Sequence, residues 1–442
     1  MDGAQNDRPY DFFIPAAEYR GPEVARRERE KLWPRVWQIA CREEEIPKPG
    51  DFVRYDILDE SVLIVRLDAE RIRGYYNVCQ HRGRQLVEAE RGNVGQGFFC
   101  RFHGWRYRLD GSLDHAYAQE DWSDCPAFAD GSLDLKQPHV DRWGGWVWVN
   151  MDPAAPSLAE YLAPLPHVFR NFRLADMRFA WAETLIAPVN WKVIVEAFNE
   201  GYHSGATHSS AVDYRPLQAP GETHGLHGSF TSIFPGLAKV KDETGRWTMA
   251  SGLRDLIYYQ AKELHDTLQA LVSGPMMRAI TRMRERLPED ASMEAVYGAL
   301  WALQREEVEA TGAVWPVELT PLDLAEAGTD WHIFPNTIVL PSADGVLWYR
   351  MRPSPEDDDR SIFDIWCLRR YPPGGEPAVE HVETIGFDAF RGRNAFLEQD
   401  FSNMQAVNKG MKSRGWAGAF TNPSQERQIV HFHHMLHAFM DR

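Results

Sequence analysis

The sequence predicts an α+β protein in two parts: a small all-β domain first, then a larger domain in which an antiparallel sheet is covered by helices. Three observations predict this. The chain has 442 residues, roughly three typical domain lengths, so two domains are expected ahead of one large composite. Turn-forming pairs recur at short spacing from Arg73-Gly74 to Asp130-Gly131, as they do between short strands. Past Pro153, Pro156, Pro164 and Pro166, which mark a linker, the pattern changes to longer strands and helical runs. The expected division is an N-terminal helical segment at 1–37 packing on the second domain, the all-β domain at 38–155, and the second domain at 156–442.

In chain order, residues 20–37 carry a charged helical pattern. Asp51 to Leu67 alternates apolar and polar (Phe52, Val53, Tyr55, Ile57, Val62, Ile64), a strand signature. In the second part, Arg178 to Ile186 reads as a strand and Asn190 to Asn199 as a helix. Leu253 to Ala310 reads as mostly helical, broken at Gly274-Pro275 and Pro288. Trp331 to Leu340, Gly345 to Arg352 and Ser361 to Tyr371 read as strands, and Phe387 to Met411 as a long helix. No internal repeat or low-complexity segment is found.

Composition bounds the function. With 44% hydrophobic and 25% charged residues, the chain is neither disordered nor collagen-like. Its 16 Trp, 15 Tyr and 22 Phe suit a large core better than they argue for a deep pocket. A net charge of −16 argues against nucleic-acid binding. No stretch reaches the length of a membrane span and Met1 to Tyr10 is polar, so a cytoplasmic location without membrane contact is expected. Five sparse cysteines do not read as a disulfide framework; Cys125 and Cys367 read as core.

The strongest chemical signal is Cys79-Gln80-His81 followed, after eighteen intervening residues, by Cys100-Arg101-Phe102-His103. Two thiolates and two imidazoles can hold zinc or a [2Fe–2S] centre with two Cys on one iron and two His on the other. A zinc site usually groups its cysteines and its histidines separately. Here each motif supplies one of each, which lets each loop reach both irons. Gly83 and Gly104 follow the pairs and let the backbone approach a cluster closely.

Cys79-Gln80-His81-Arg82-Gly83 and Cys100-Arg101-Phe102-His103-Gly104-Trp105 resemble the cluster motifs of Rieske non-haem iron oxygenases (ring-hydroxylating oxygenases), in their catalytic α subunits. Phe102 departs from the common Tyr, and the gap between the motifs is slightly long; neither touches a ligand. The resemblance implies Cys79, His81, Cys100 and His103 as cluster ligands.

A mononuclear Fe(II) site for O2 chemistry takes two histidines and one carboxylate with open positions. The segment Asn190-Trp191-Lys192 to Glu200-Gly201-Tyr202-His203-Ser204-Gly205-Ala206-Thr207-His208 offers two histidines five apart. They can converge if the helix ends near Gly201–Gly205. The same family resembles this segment. It implies His203 and His208 as iron ligands, with a third from Glu398-Gln399-Asp400: Asp400, with Glu398 the competitor. The two lie two positions apart and cannot both face a metal. Glu200 stands where the family commonly has Asp, and the resemblance implies that it links a Rieske histidine of one subunit to an iron-ligand histidine of the next. Glu196, one turn earlier, reads as a solvated carboxylate. A Glu in place of that Asp occurs in some members acting on quaternary ammonium and other N-alkyl compounds.

The resemblance runs from about residue 10 to 415 and is weakest over Leu253–Ala310. It implies an oxygenase that uses electrons from NAD(P)H, through a separate reductase with or without a ferredoxin. O2 is activated at Fe(II) to hydroxylate an aromatic or other organic substrate. Oxidative N- or O-dealkylation is the alternative. It also implies rings of three subunits, as a homotrimer or as α3β3 with a β subunit. Two other classes are a pure electron carrier, which needs only residues 38–155, and a colourless zinc-stabilised binding protein. Residues 71–108 hold eight Arg against two Glu, a docking surface for an acidic electron donor or plain loop charge. His431, His433, His434 and His437 read as packing rather than as a metal tract.

Overall fold

A computed structural model describes residues 12–128 and 130–441; the polar start at Met1–Tyr10 lies outside them. The chain forms two compact units. One is Arg29–Tyr161; the other joins the described residues up to Glu28 to those from Leu162 onward. The division therefore falls at 28/29 and 161/162, not at 37/38 and 155/156. Side-chain bonds show why. Gln38 donates to the Trp33 carbonyl at 2.7 Å, Asn150 to that of Arg35 at 3.2 Å and Trp37 to that of Pro156 at 3.0 Å, so residues 33–37 and 156 are tied into the first sheet.

The Arg29–Tyr161 unit is built of short antiparallel strands. Ile72–Tyr76, Glu60–Arg66, Asp51–Ile57 and Arg91–Asn93 lie side by side in that order. A second sheet orders His139–Trp143, Trp146–Asn150 and Gln38–Arg42, and a third Gly97–Phe99, Arg106–Arg108 and Leu113–His115. The alternating run Asp51–Leu67 is thus a hairpin, not one strand. Ile57 pairs with Glu60 across a two-residue turn with Leu58 at φ 52°. The polar stretch Asp59-Glu60-Ser61 is where the alternation breaks and the chain reverses. Leu63, Tyr75, Phe98, Trp105 and Tyr107 form a core that also buries Cys79 and Cys100. Cys367 is core in the other unit, whereas Cys125 is only half-buried.

The larger unit carries an eight-stranded sheet, in the order Gly221–His224, His227–Phe230, Asp330–Ile333, Thr337–Pro341, Gly345–Pro353, Ser361–Arg369, Arg178–Ala187, His381–Ile385. All pairs are antiparallel except the last, which is parallel and departs from the all-antiparallel expectation. The stretch read as Trp331 to Leu340 is two strands turning at Phe334–Asn336. The helix Trp191–Phe198 starts where Asn190 accepts a bond from the Lys192 amide at 3.0 Å. Val193, Ile194 and Val195 are buried, each contributing roughly 1.5–3 kcal/mol of burial. Beneath it, Lys192 and Trp191 both bond the buried carboxylate of Glu28.

Leu253–Thr267, Gly274–Arg286 and Met293–Glu309 form a three-helix layer with its own core, including Ala279, Ile280, Met283 and Val296. The stretch read as one helix from Phe387 to Met411 breaks at 391–394, where Gly392 has φ 84° and Asn394 caps the new helix Ala395–Met411. Its buried face is Leu397, Asp400, Phe401, Met404 and Asn408, a helical stripe. The C-terminal histidines lie on the helix Arg427–Met440. His431 meets the Gly225 carbonyl at 2.9 Å, His433 meets Glu196 at 2.7 Å and His437 meets Glu18 at 3.1 Å. Three different partners mark a packed helix.

Candidate metal centres and an adjoining cavity

In the Arg29–Tyr161 unit the two Cys/His loops have one design. The Gly83 amide donates to the Cys79 carbonyl at 2.9 Å, and the Gly104 amide to that of Cys100 at 3.0 Å. Cys79 N reaches the Arg84 carbonyl at 2.9 Å and Cys100 N that of Trp105 at 2.8 Å. Both glycines have positive φ, 76° and 73°, and a Cβ on either would meet nothing within 4 Å. Turn conformation, rather than crowding, therefore calls for glycine here. The cysteines are buried, and the His81 and His103 rings stand 4.6 Å apart at 72°. His81 also stacks on Trp105, 4.9 Å between centroids.

These loops fit a cluster on two observations. His103 Nδ1 is buried with no hydrogen-bond partner, which is costly unless something else takes it. The Cys79 Sγ lies 3.4 Å from the Tyr107 hydroxyl, whose phenol burial and the Cys79 thiol push well up, so it keeps its proton for the sulfur. Tyr107 carries no motif spacing and escapes a sequence reading.

In the larger unit, the helix Trp191–Phe198 stops before Glu200, slightly earlier than the sequence suggests, and a single turn, Ser204–Thr207, separates His203 from His208. That turn brings the rings together. His203 Nε2 lies 3.2 Å from His208 Nε2, and Asp400 Oδ1 lies 3.4 and 3.1 Å from them. Their ligand atoms all fall within 4.8 Å of one another. Glu398 turns elsewhere, accepting from the Gly392 amide at 2.5 Å.

The outer nitrogens decide what this cluster can hold. His203 Nδ1 faces Glu200 Oε1 at 2.6 Å, and His208 Nδ1 faces Gln399 Oε1 at 2.8 Å. Both partners are acceptors, so each Nδ1 carries the ring proton and each Nε2 aims a lone pair at the same point. Asp400 adds a carboxylate that is buried and has Oδ2 unpartnered. Two lone pairs and an anion facing one another fit a cation. The surroundings favour positive charge at this point: burial opposes charge on His203, but Glu200 and Asp400 outweigh it and push the imidazole up to about 10, so a metal competes with a proton for that lone pair. Burial likewise opposes the Asp400 carboxylate, yet bonds from His203 and His208 hold it below the usual range. Phe396 stacks on His208, 3.9 Å between centroids. Gln399 and Phe396 escape a sequence reading because only the tertiary meeting of two helices gives them a role. Glu196 is not solvated: it accepts from Tyr19 at 3.0 Å and pairs with His433.

Beside the cluster lies a cavity of about 140 Å³, lined by Phe198, Tyr214, Phe230 and Tyr349, by Leu264 and Leu268 of the helical layer, and by Glu200, Asp330 and Asp400. No Lys or Arg lines it among the described residues.

Residues 36–129 match the Rieske [2Fe–2S] domain, and residues 174–442 match the ring hydroxylating alpha subunit, catalytic domain. The chain belongs to the ring-hydroxylating alpha-subunit family. Membership brings a [2Fe–2S] cluster and a non-haem iron. This alpha subunit is 31% identical over 233 residues to the carnitine monooxygenase oxygenase subunit of Escherichia coli, a match covering 52% of the chain and 60% of that relative. It shares the fold of a solved quaternary ammonium Rieske monooxygenase, described for carnitine oxidation and inter-subunit electron transfer: TM-score 0.63 at 17% identity, over 97% of this chain and 95% of the other. Naphthalene 1,2-dioxygenase with indole bound has a TM-score of 0.65 at 17% identity, over 98% of this alpha subunit and 93% of the dioxygenase. Among the described residues, no helix is long and apolar enough to cross a membrane.

Proposed function

We propose that this chain is the oxygenase component of a system in which electrons from NAD(P)H arrive through a separate reductase, with or without a ferredoxin, and O2 is used to hydroxylate a small organic substrate. Cys79, His81, Cys100 and His103 hold the cluster; His203, His208 and Asp400 hold the iron. Bound there, the cluster supplies single electrons and the iron supplies O2 activation. The observation that carries the reading is the convergence of two imidazole lone pairs and a buried carboxylate at the edge of a largely apolar cavity. Glu200 and Gln399 fix the tautomers of His203 and His208. Phe198, Tyr349 and the leucines of the helical layer exclude water and orient the substrate. Relatives named as oxygenase subunits support a separate reductase. The solved relative described for inter-subunit electron transfer supports transfer between neighbouring chains, which in rings of three Glu200 would link.

The cavity's acidic, aromatic lining favours one branch, oxidative N-dealkylation of an alkylammonium substrate, in line with the relatives that act on carnitine and quaternary ammonium compounds. An N-methyl group, O2, two electrons and two protons give an N-hydroxymethyl group and water. The N-hydroxymethyl group then breaks its C–N bond, releasing amine, formaldehyde and a proton. The test is mass-spectrometric product analysis with reductase and NAD(P)H supplied, across arenes, aryl ethers and alkylammonium compounds. Purified protein should contain about two iron and two labile sulfide per chain at the cluster, plus up to one further iron. Stoichiometric zinc without sulfide, or no oxygenated product from any class, overturns the reading.

A further inference from the structure

Asp330 opens the strand Asp330–Ile333 and lines the cavity beside His203, His208 and Asp400. It is 1% exposed, and neither carboxyl oxygen has a hydrogen-bond partner. The other buried acids of this unit behave differently. Asp364 is held by Arg350, Arg352 and Thr184, Glu28 by Lys192 and Trp191, and Asp323 by Arg170, Asn171 and Thr320. A carboxyl group buried without partners is costly when neutral and more costly when charged. A fold that pairs its other acids leaves this one open only at the cavity.

We infer that Asp330 is the recognition carboxylate for the substrate's cationic head, and that the substrate is a small alkylammonium monocation. The inference rests on the N-dealkylation reading and supplies its specificity. Three features meet at the site. The first is an unpartnered acid in the wall. The second is aromatic rings in the same wall, Phe198, Tyr214, Phe230 and Tyr349, whose faces attract cations. The third is a lining in which the described residues include no Lys or Arg to receive a carboxylate on the ligand. Burial, with Glu200 adding to it, pushes the Asp330 carboxyl well above the usual carboxylate range. A bound cation supplies the charge that its ionised form lacks. Asp330 touches the substrate's nitrogen end and takes no part in holding metal.

The test compares choline with its neutral carbon isostere, 3,3-dimethylbutan-1-ol, which has the same shape and no charge. Binding to the metal-loaded full chain is measured by anaerobic calorimetry, where no turnover occurs. Wild-type protein should bind choline roughly tenfold or more tighter than the isostere, and Asp330→Asn should remove most of that preference while shifting the isostere by less than about threefold. Glycine betaine, which adds a carboxylate to the same head, should bind more weakly than choline. Equal binding of choline and isostere to wild type, or an undiminished preference in Asp330→Asn, overturns the assignment. Glycine betaine binding as tightly as choline overturns the monocation class. Asp330→Ser serves if the Asn variant does not fold, as judged by its cluster absorption. Selective choline binding without formaldehyde release under turnover sinks the N-dealkylation reading and leaves Asp330 standing. Formaldehyde release with a charge preference that survives Asp330→Asn does the reverse.

Discussion

Asp400 and Glu398 sit two positions apart on one helix and face different surroundings. Asp400 is on the buried stripe with an unpartnered oxygen; Glu398 caps the preceding loop at the Gly392 amide. Asp400→Ala should therefore abolish product and empty the mononuclear site while leaving the Rieske absorption unchanged, whereas Glu398→Ala should keep iron and most activity. Gln399, between them, meets the outer nitrogen of His208 and not the point where the ligand atoms converge. Gln399→Leu should weaken iron binding by roughly 10–100-fold, as loss of such an outer partner usually does. Titrating Fe(II) into apoprotein for the three variants checks the order. Iron loss from Glu398→Ala, with retention in Asp400→Ala, reverses the ligand assignment. At this scale the motif residues are legible because their chemistry and spacing are local. Gln399, Tyr107 and Asp330 are ordinary letters whose meaning depends on what the fold sets opposite them.

The hairpin that carries Asp330 shows what an element contributes beyond its sequence pattern. Its strands run Asp330–Ile333 and Thr337–Pro341, and the turn between them is pinned by the His332 ring, whose Nε2 meets the Pro335 carbonyl at 3.0 Å. Burial pushes this imidazole down to about 3. Between about pH 3 and its ordinary value of 6.5, the unfolded chain binds a proton here that the folded one does not. Stability is therefore complete above pH 6.5 and is lost as pH falls below it. Going from pH 7.5 to 5.5 should cost wild type about 1 kcal/mol more than His332→Gln, which keeps a donor for Pro335 without the titration. Urea midpoints at the two pH values check this; an equal loss in both proteins counts against it. The unbroken reading of Trp331 to Leu340 fails because its strands are buried on both faces and run on as one apolar stretch, although Pro335-Asn336 marks the turn; the Asn190 cap and the Gly392–Asn394 break are likewise written in residues that stop or start helices. The strands Gly221–His224 and His227–Phe230 also escape a sequence reading, since Gly and His have little strand preference and the sheet edge, not propensity, orders them.

At the scale of the whole molecule, two metal centres on separate compact units raise the question of which chain's cluster serves which iron. Ring assembly predicts that a cluster serves the neighbouring chain, and mixing crippled chains separates this from transfer within a chain. A Cys100→Ser chain should lack the cluster and keep His203, His208 and Asp400. An Asp400→Ala chain should lose the iron and keep its cluster. Neither should turn over alone. Co-expressed in equal amounts, with separate tags to purify mixed assemblies, they should recover about a third of wild-type activity if electrons pass between neighbours in a closed ring of three, because every mixed ring has one intact cluster facing one intact iron site. Transfer within one chain recovers none. Glu200 then gives the direction. Its carboxylate holds His203 of its own chain through both oxygens, to Nδ1 at 2.6 Å and to the backbone amide at 3.0 Å, so it belongs to the receiving iron site. Glu200→Gln, with one acceptor oxygen where two are needed, should remove the rescue when placed on the Cys100→Ser chain and spare it on the Asp400→Ala chain. Equal loss from either placement would mean that Glu200 serves assembly rather than transfer, and rescue no greater than the sum of the two single variants would return both centres to one chain.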